Sequence, residues 1–450
     1  MAGMSGETVR PRTPSWKFGM VVLLGLLLTL PLFSVYLLVY DRESQSQTAR
    51  GSIVAGWGEP QTLGGPFLAI PFTRVVETQA TENGREVRRQ ERREEQLIIA
   101  PAMLDMEVAL APQLRRRSIY QAVIYDAQVR ARGRFVLPDL AALNIDPASV
   151  RLGETELKLG ISSAKGLAGS QPRVVVDGRR LPLIPGSGLS QTAGSGFSGR
   201  LGAAPGGTVD FDIGFSVRGH DSISLLPVAQ DTRWRVRSSW PHPSFLGGFL
   251  PERRQVGAEG FSADWRIGNL ALNRPTVSIG EQGASETDKI TVGLIDPVDL
   301  YDEVTRATKY GFLFIGFTFV ALLMFDLLAG VSVPGPAYLL VGAGLVLFFV
   351  LLLALAEVIG FTPAYLLASL AIVALVGSYA TAILRSRRRG ALVAAMLAGL
   401  YAVLFALLSL EAYSLLIGAL LLFAALAGVM YVTRNLDWRA VGVRGGEPAA

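Results

Sequence analysis

Six arginines recur at every second position in two short segments of the chain. They are Arg130, Arg132, Arg134, Arg233, Arg235 and Arg237. Because side chains alternate between the two faces of a β-strand, each set of three lies on one face of its strand. Guanidinium groups bind phosphates and carboxylates in a planar, two-pronged geometry, so each set is a candidate site for a lipid headgroup, lipopolysaccharide, a glycan carboxylate or a protein partner. A solvated strand face is the simpler interpretation of the same alternation.

Three carboxylates, Asp326, Glu357 and Glu411, lie within or beside long apolar segments. Ionisable side chains at such depth in a membrane usually serve a function, and proton or ion passage would require them to meet near the middle of the bilayer. Asp326 lies 16 residues after Tyr310, or about 24 Å along a helix, which places it near the opposite membrane face from the two glutamates. The spacing therefore favours interfacial or helix-pairing roles, and it leaves Glu357 and Glu411 as a candidate pair.

The two histidines of the chain, His220 and His242, are too few for most metal sites, and there is no cysteine to add ligands. His242 is flanked by Pro241 and Pro243, and Trp240 comes just before them. Because proline restricts the backbone, this segment predicts a rigid structural corner, with an exposed aromatic edge for ligand stacking as the alternative. We expect no metal and no cofactor.

Complete catalytic motifs are absent from the sequence. Ser162 and Lys165 match the S-x-x-K element of penicillin-recognising enzymes, but no K-T-G follows any lysine. There is no H-E-x-x-H, G-x-S-x-G or Walker A loop, and without cysteine there is no thiol nucleophile. We therefore expect a protein that is not an enzyme and that binds no nucleic acid.

The elements that carry these residues follow from hydropathy, since the chain has 450 residues, of which 50% are hydrophobic and 18% charged. This is more apolar material than one soluble core uses. An apolar run at residues 18–40 is long enough to cross a hydrocarbon core of about 30 Å, and no signal-peptide cleavage site follows it. Five more runs lie at 310–328, 338–356, 364–384, 391–410 and 415–431. The sequence thus predicts six transmembrane helices, one N-terminal and five C-terminal.

Basic residues orient these predicted helices, because Lys and Arg in short loops stay on the cytoplasmic side. Three groups fall on one side of a six-span arrangement: Arg10, Arg12 and Lys17; Arg385, Arg387, Arg388 and Arg389; and Arg434 and Arg439. The loops on the other side, residues 357–363 and 411–414, contain no Lys or Arg. We therefore expect residues 1–17 and 432–450 in the cytoplasm and residues 41–309 in the periplasm of a bacterial inner membrane.

Residues 41–309 alternate short apolar and polar stretches with turn residues about every ten positions, which predicts a large antiparallel β-rich domain. One or two β-sandwiches would accommodate it, so the expected fold class is an α+β membrane protein. Residues 81–96 predict the tip of a long hairpin, and the Gly- and Ser-rich residues 185–207 predict a flexible loop or a linker between subdomains. Residues 296–311 predict a helix that leads into the second span.

Four sequence blocks carry a resemblance to a known family. They are WGEPQTLGGPFLAIP at 57–71, SSWPHPSFLGGFLPERR with GFSADW at 238–265, RATKYGFLFIGFTFVALLMFD at 306–326 and LSLEAYSLLIGALLLFAALAGVMYVTRNLDW at 408–438. On these blocks the chain resembles the CreD family of cell-envelope-integrity inner membrane proteins over nearly its whole length. The family pattern usually has glutamate at Asp326, glutamine at Ser409, an acidic residue at Ala412 and glycine at Ser118.

The resemblance implies a role in cell-envelope integrity, often under a sensor-kinase regulon linked to the β-lactam response, with no established enzymatic reaction. We expect residues 41–309 to bind an envelope component such as peptidoglycan or lipopolysaccharide, or an envelope protein, while the helices lie in the lipid bilayer. Two alternatives stay open. One is an ion- or proton-coupled transporter or channel that uses the membrane carboxylates, and the other is a glycan- or lipid-acting enzyme with carboxylates such as Asp264, for which fold alone is a weak argument.

Overall fold

The computed structural model describes residues 14–82, 85–167, 169, 171–202, 205–281, 286–294, 300–328, 333–409 and 414–434. The chain divides into two compact units. The first, which we call the helical unit, comprises Met1–Ser46 and Val298–Ala450. The second, which we call the β domain, comprises Gln47–Pro297.

Helices dominate the first unit and strands the second. Within the described residues the α-helices are α1 Pro14–Val54, α2 Asn269–Leu272, α3 Leu300–Lys309, α4 Gly311–Leu328, α5 Gly335–Ile359, α6 Phe361–Ile383, α7 Arg387–Ser409 and α8 Ser414–Thr433. The strands are β1 Gln61–Glu82, β2 Arg85–Ile99, β3 Met103–Arg117, β4 Tyr120–Val136, β5 Glu156–Ile161, β6 Arg173–Val176, β7 Arg179–Arg180, β8 Ile184–Pro185, β9 Gly196–Arg200, β10 Thr208–His220, β11 Ser222–Leu226, β12 Asp231–Ser238, β13 Pro243–Gly247, β14 Arg253–Gly257, β15 Gly260–Gly268, β16 Val277–Ile279 and β17 Ile290–Leu294.

Five helical segments of the described chain are long and apolar enough to cross a membrane. They are Gly19–Val54, Leu300–Met324, Gly335–Ile359, Phe361–Ile383 and Arg387–Ser409. One precedes the strands in the chain and four follow them, as the predicted split between a lone N-terminal helix and a C-terminal group requires. α8 covers the predicted sixth span, residues 415–431, and its crossing stays a prediction. The helical lead-in is confirmed, since α3 ends just before α4 begins.

Aromatic side chains and close helix contacts fill the helical unit. The ring centroids of Phe348 and Tyr401 are 4.4 Å apart, and the Tyr365 hydroxyl donates a hydrogen bond to the Tyr401 carbonyl at 2.7 Å. A Cβ atom at Gly342 of α5 would collide with the end of the Leu28 side chain of α1, so a larger residue there would force this leucine to move. Packing of this kind holds helices together in a membrane, because lipid tails are as apolar as the side chains.

Two mixed sheets form the β domain. Sheet A has the order β13-β17-β11-β1-β5-β9-β8, with β2 paired to β1 and β16 paired to β2. Sheet B has the order β14-β15-β12-β3-β4-β10-β6-β7. The prediction of antiparallel sheets is wrong at two places, because β1 pairs with β11 and β3 pairs with β12 in parallel. Alternating hydropathy indicates which face a residue occupies but not the direction of the neighbouring strand, and parallel neighbours come from distant segments.

Both sheets contribute to the core of the β domain. Leu68 and Phe72 of β1 belong to the same cluster of buried side chains as Tyr125 of β4 and Trp234 of β12. Along β10 every second side chain is buried, which leaves the other half of the strand for the outer face of sheet B. The sandwich arrangement of the two sheets stays a prediction.

The hairpin and its neighbouring turn follow the sequence patterns. β1 and β2 pair from Leu68 with Ile99 out to Glu82 with Arg85, which confirms a long hairpin. The prediction that residues 81–96 form its tip is wrong for residues 85–96, which belong to the second strand. In the next turn, between β3 and β4, Ser118 has a φ of 57°. This is the left-handed region that glycine occupies without strain, and it explains why the family pattern has glycine there.

Residues 185–207, which we predicted as a flexible loop or linker, contain a strand of sheet A. β9 pairs with β5 and with β8, and Phe197 on β9 is buried in the core. Two glycines of this segment, Gly196 and Gly199, allow close packing of the backbone. At Gly196, a Cβ atom would collide with the carbonyl of Leu159.

Candidate functional site

The strand order of sheet B brings the two sets of arginines together. One set lies on β4 and the other on β12, with only β3 between these strands. The residues that alternate with the arginines are buried, as Val129 and Ala131 are on β4 and Trp234 and Val236 are on β12. The arginines therefore point to the opposite, outer face. The predicted placement of each set on one strand face is confirmed, and both sets share the same face of the sheet.

Positive and negative side chains alternate across this outer face. The central row, from β15 to β6, consists of Asp264, Arg235, Glu107, Arg130, Gly214 and Arg173. The next row, from β12 to β10, consists of Arg233, Asp105, Arg132 and Asp212. Opposite charges directly across neighbouring strands favour this pairing.

Aspartates of β10 hold the arginines of β4. Asp212 accepts hydrogen bonds from Arg130 at 3.0 Å and from Arg132 at 3.1 Å. Asp210 accepts two from Arg134, at 2.6 and 3.1 Å, and these hydrogen bonds keep the pKa of the Asp210 carboxyl below its ordinary value. Because the pairs are exposed to solvent, they orient the arginines more than they stabilise the fold.

The arginines of β12 differ from one another in their partners. Arg235 donates to Asp105 at 2.9 Å and lies 2.8 Å from Glu107, and the hydrogen bond to Asp105 raises the pKa of its guanidinium above the ordinary value. Within the described part of the chain, Arg237 has neither a hydrogen-bond nor an ion-pair partner, and the same holds for Arg173 on β6. Arg233 on β12 also lacks such a partner among the described residues, but it does not line the concavity of this face. Arg237 and Arg173 are therefore available to a ligand there.

A concavity of about 660 Å³, which we call the basic groove, opens where the central row crosses sheet B. Its charged lining residues are Arg130, Arg173, Arg235, Arg237, Glu107 and Asp212, which leave an excess of two positive charges. Gln128, Gln171 and Ser216 add neutral polar groups. Gly214 lies in its floor, and a Cβ atom there would meet nothing within 4 Å. The groove can therefore hold a negatively charged, hydrogen-bonding ligand.

The helical unit places Glu357 and the backbone of Asp326 at different points along neighbouring helices. Glu357 lies near the C-terminal end of α5 and accepts a hydrogen bond from the Tyr301 hydroxyl at 3.1 Å. It lies 22 residues, or about 33 Å, from the start of α5 at Gly335, whereas Asp326 lies near the end of α4, close to that start in sequence. The side chain of Asp326 and the whole of Glu411 lie outside the described residues.

The proline-flanked segment carries the chain from sheet B to sheet A. β12 ends at Ser238, whose hydroxyl accepts a hydrogen bond from the Trp240 amide at 3.2 Å, and β13 begins at Pro243. Just beyond the corner, the ring of Phe245 packs against Trp265 with centroids 5.7 Å apart. This placement favours the structural corner, and ligand stacking on the aromatic edge stays a prediction.

Ser162, the first residue of the S-x-x-K match, has a structural role. The Ser162 hydroxyl donates to the Pro60 carbonyl at 3.0 Å and accepts from the Thr62 amide at 2.9 Å, which fastens β1 to the end of β5. Asp264 lies opposite Arg235 in the central row. Among the described residues, no group of three or more His, Asp and Glu side chains is placed to hold a metal ion.

A cluster that sequence reasoning missed surrounds Trp57, just after α1. The guanidinium groups of Arg115 and Arg218 lie 4.9 and 4.4 Å from the centroid of the indole ring. The indole N–H donates to the Tyr125 carbonyl at 3.2 Å. Burial raises the pKa of the Tyr125 hydroxyl, which donates to the Ser222 carbonyl at 2.7 Å. Trp57 opens the first family block, and that was the signal available in the sequence.

We expect Trp57→Ala to lower the free energy of unfolding by about 2–3 kcal/mol, because it removes two cation–π contacts and a hydrogen bond. Denaturant unfolding of the full-length chain, followed by circular dichroism, measures this loss. Trp57→Phe keeps a ring between the arginines and should cost about half as much. If both variants lose the same amount, the ring contacts contribute nothing.

A helix before two mixed β-sheets and a group of apolar helices after them define an α+β membrane protein whose β domain carries a basic groove. The family model described as inner membrane protein CreD matches residues 13–439. Over 437 residues the chain is 32% identical to the inner membrane protein CreD of Escherichia coli strain K12. The aligned region covers 94% of each protein. The chain belongs to the CreD family and is a multi-pass protein of the inner membrane.

Proposed function

We propose that the chain is a non-enzymatic factor that maintains the cell envelope and its response to β-lactams, and that its β domain binds an anionic envelope component through the basic groove. The observation that carries this proposal is the excess of two positive charges in the groove, with Arg173 and Arg237 available to a ligand. Guanidinium groups favour carboxylate, which peptidoglycan carries, and phosphate, which lipopolysaccharide carries. An envelope protein with an acidic surface is the alternative occupant.

The proposal places the β domain in the periplasm, where such components occur. The basic residues of the sequence support this orientation, because those before span one, between spans four and five, and after span six fall on one side of six crossings. The sixth crossing is then α8. Both termini lie in the cytoplasm in this arrangement.

The helical unit supports an anchoring role over a transporter. Transport through the membrane carboxylates would need them to meet at one site. Glu357 instead pairs with Tyr301 about 33 Å from the start of its helix, far from the position of Asp326 near the end of α4. We therefore assign ligand binding to the β domain and membrane attachment to the helices.

Survival of a strain that lacks this gene, challenged with detergent and with a β-lactam, tests the proposal. The strain is complemented with the full-length chain or with the double variant Arg173→Gln, Arg237→Gln. We expect the double variant to protect no better than an empty vector, because both unpaired charges of the groove are lost.

The matched control is the double variant Arg200→Gln, Arg266→Gln. It removes two exposed arginines of the β domain that do not line the groove, so the loss of charge is the same. We expect this control to protect as well as the unmodified chain. If both double variants protect equally well at equal abundance in the membrane, the groove is not required for envelope protection.

A further inference from the structure

We infer that the basic groove recognises an extended ligand with an anionic group at each end and neutral polar groups between them. This inference rests on the proposed function and deepens it by naming the chemical class of the ligand. It follows from where the charges of the groove are free and where they are already neutralised.

The two available arginines lie at opposite ends of the groove. Arg237 lies on β12 and Arg173 on β6, with β3, β4 and β10 between them. Four strand spacings of about 4.8 Å separate their backbones by about 19 Å. Arginine side chains are long enough to lean inward over apolar surface, so two anionic groups about 10–15 Å apart would reach both guanidinium groups.

The middle of the groove favours neutral groups. Arg130 on β4 is held by Asp212, so its guanidinium is not free to neutralise a further anion. Arg235, which lies beside Arg237 at the β12 end, is likewise held by Asp105 and Glu107. A negative group placed in the middle of the groove would also lie close to the carboxylates of Asp212 and Glu107. Hydroxyl or amide groups suit this region better, because the side chains of Gln128 and Ser216 offer both donors and acceptors.

A ligand that contacts the arginines at both ends of the groove should bind more tightly than a ligand that contacts only one. A contact with one exposed arginine is weak, because water and salt compete for the charge. Once the first anion is bound, the second is held near its arginine at a high effective concentration, provided that the spacer matches the distance. The groove should therefore discriminate ligands by the separation of their charges.

Isothermal titration calorimetry on the full-length protein in an uncharged detergent tests this inference. The probes are bisphosphates joined by oligo(ethylene glycol) spacers of about 5, 12 and 20 Å, with the corresponding monophosphate. We expect the middle spacer to bind at least about tenfold more tightly than the monophosphate. Dicarboxylates with the same spacers show whether phosphate or carboxylate is preferred.

Variants separate recognition of two charges from general attraction. Arg173→Gln and Arg237→Gln should each reduce binding of the middle bisphosphate to the level of the monophosphate. Gly214→Val, which places a side chain in the open floor between the two ends, should reduce binding of the middle bisphosphate to the level of the monophosphate. The double variant Arg200→Gln, Arg266→Gln should bind like the unmodified chain, and matching unfolding midpoints establish that each variant is folded.

The outcomes distinguish failure of this inference from failure of the proposed function. Equal affinity for the monophosphate and for every bisphosphate, or binding that survives both single arginine variants, would overturn the two-anion ligand. If no probe binds while Arg173→Gln with Arg237→Gln still abolishes envelope protection, the ligand class is wrong and the function stands. If the middle bisphosphate binds as expected but that double variant protects fully, the proposed function fails instead.

Discussion

Replacing Trp234 by alanine is expected to lower the free energy of unfolding of the chain by about 3–5 kcal/mol. Trp234 lies on β12 between Arg233 and Arg235, and it is 0% exposed. Its ring packs on that of Trp265 with centroids 4.7 Å apart. Alanine would leave a large cavity under the strand that carries half of the arginines. Denaturant unfolding followed by far-ultraviolet circular dichroism measures the loss, and calorimetry should show weaker binding of the middle bisphosphate.

Trp234→Phe is the matched control for this prediction. Among the described residues, the indole N–H of Trp234 is buried without a hydrogen-bond acceptor. A buried, unsatisfied donor costs about 1–3 kcal/mol, and phenylalanine removes that donor while it keeps an aromatic ring in place. We expect phenylalanine to cost less than half of what alanine costs. An equal loss in the two variants would contradict this account of the site.

Replacing Gly133 by valine is expected to lower the free energy of unfolding by about 3 kcal/mol, because the core has no room for the side chain. Gly133 lies on β4 between Arg132 and Arg134, and its Cα faces the core. A Cβ atom there would collide with the Met103 carbonyl and with the ring of Phe211. The strand would have to shift away from β3, which would also move the arginines of the outer face. Thermal unfolding of the full-length protein measures the effect.

Gly214→Val is the control, because it makes the same substitution on the neighbouring strand β10. The floor of the groove leaves open space at Gly214, and valine suits a strand, so we expect stability within about 0.5 kcal/mol of the unmodified chain. The two substitutions thus have different expected effects. Gly133→Val lowers the free energy of unfolding, whereas Gly214→Val leaves it nearly unchanged and lowers the affinity for the middle bisphosphate. If the two variants are equally destabilised, the loss comes from replacing any strand glycine, and the steric explanation for Gly133 is wrong.

Patterns between near neighbours in the chain account for what the sequence could predict. The apolar runs indicate the membrane helices, and alternation along β4 and β12 indicates the outward direction of Arg130 and Arg235. The hairpin of β1 and β2 follows for the same reason, because its strands are adjacent in the chain. Each of these features depends on a period or a turn within a few tens of residues.

The groove depends on contacts that no local pattern encodes. β3 and β12 pair in parallel although Glu107 and Arg235 are far apart in the chain, and only this pairing places both sets of arginines on one face. Arg173 belongs to no repeating pattern in the sequence, because it is the single charged residue at the start of a short apolar strand. The prediction of a flexible loop or linker at residues 185–207 is wrong for another reason. Glycine permits tight packing as well as flexibility, and composition does not distinguish the two.

The alternating rows of charge also limit the distance over which sheet B attracts anions. Neighbouring strands lie about 5 Å apart, which is shorter than the Debye length of about 8 Å at physiological salt, so the fields of paired arginines and carboxylates largely cancel before screening acts. An approaching anion gains little from electrostatic steering until it reaches the groove. Its association rate should depend weakly on ionic strength, and selectivity should reside in how slowly a ligand held at both ends dissociates.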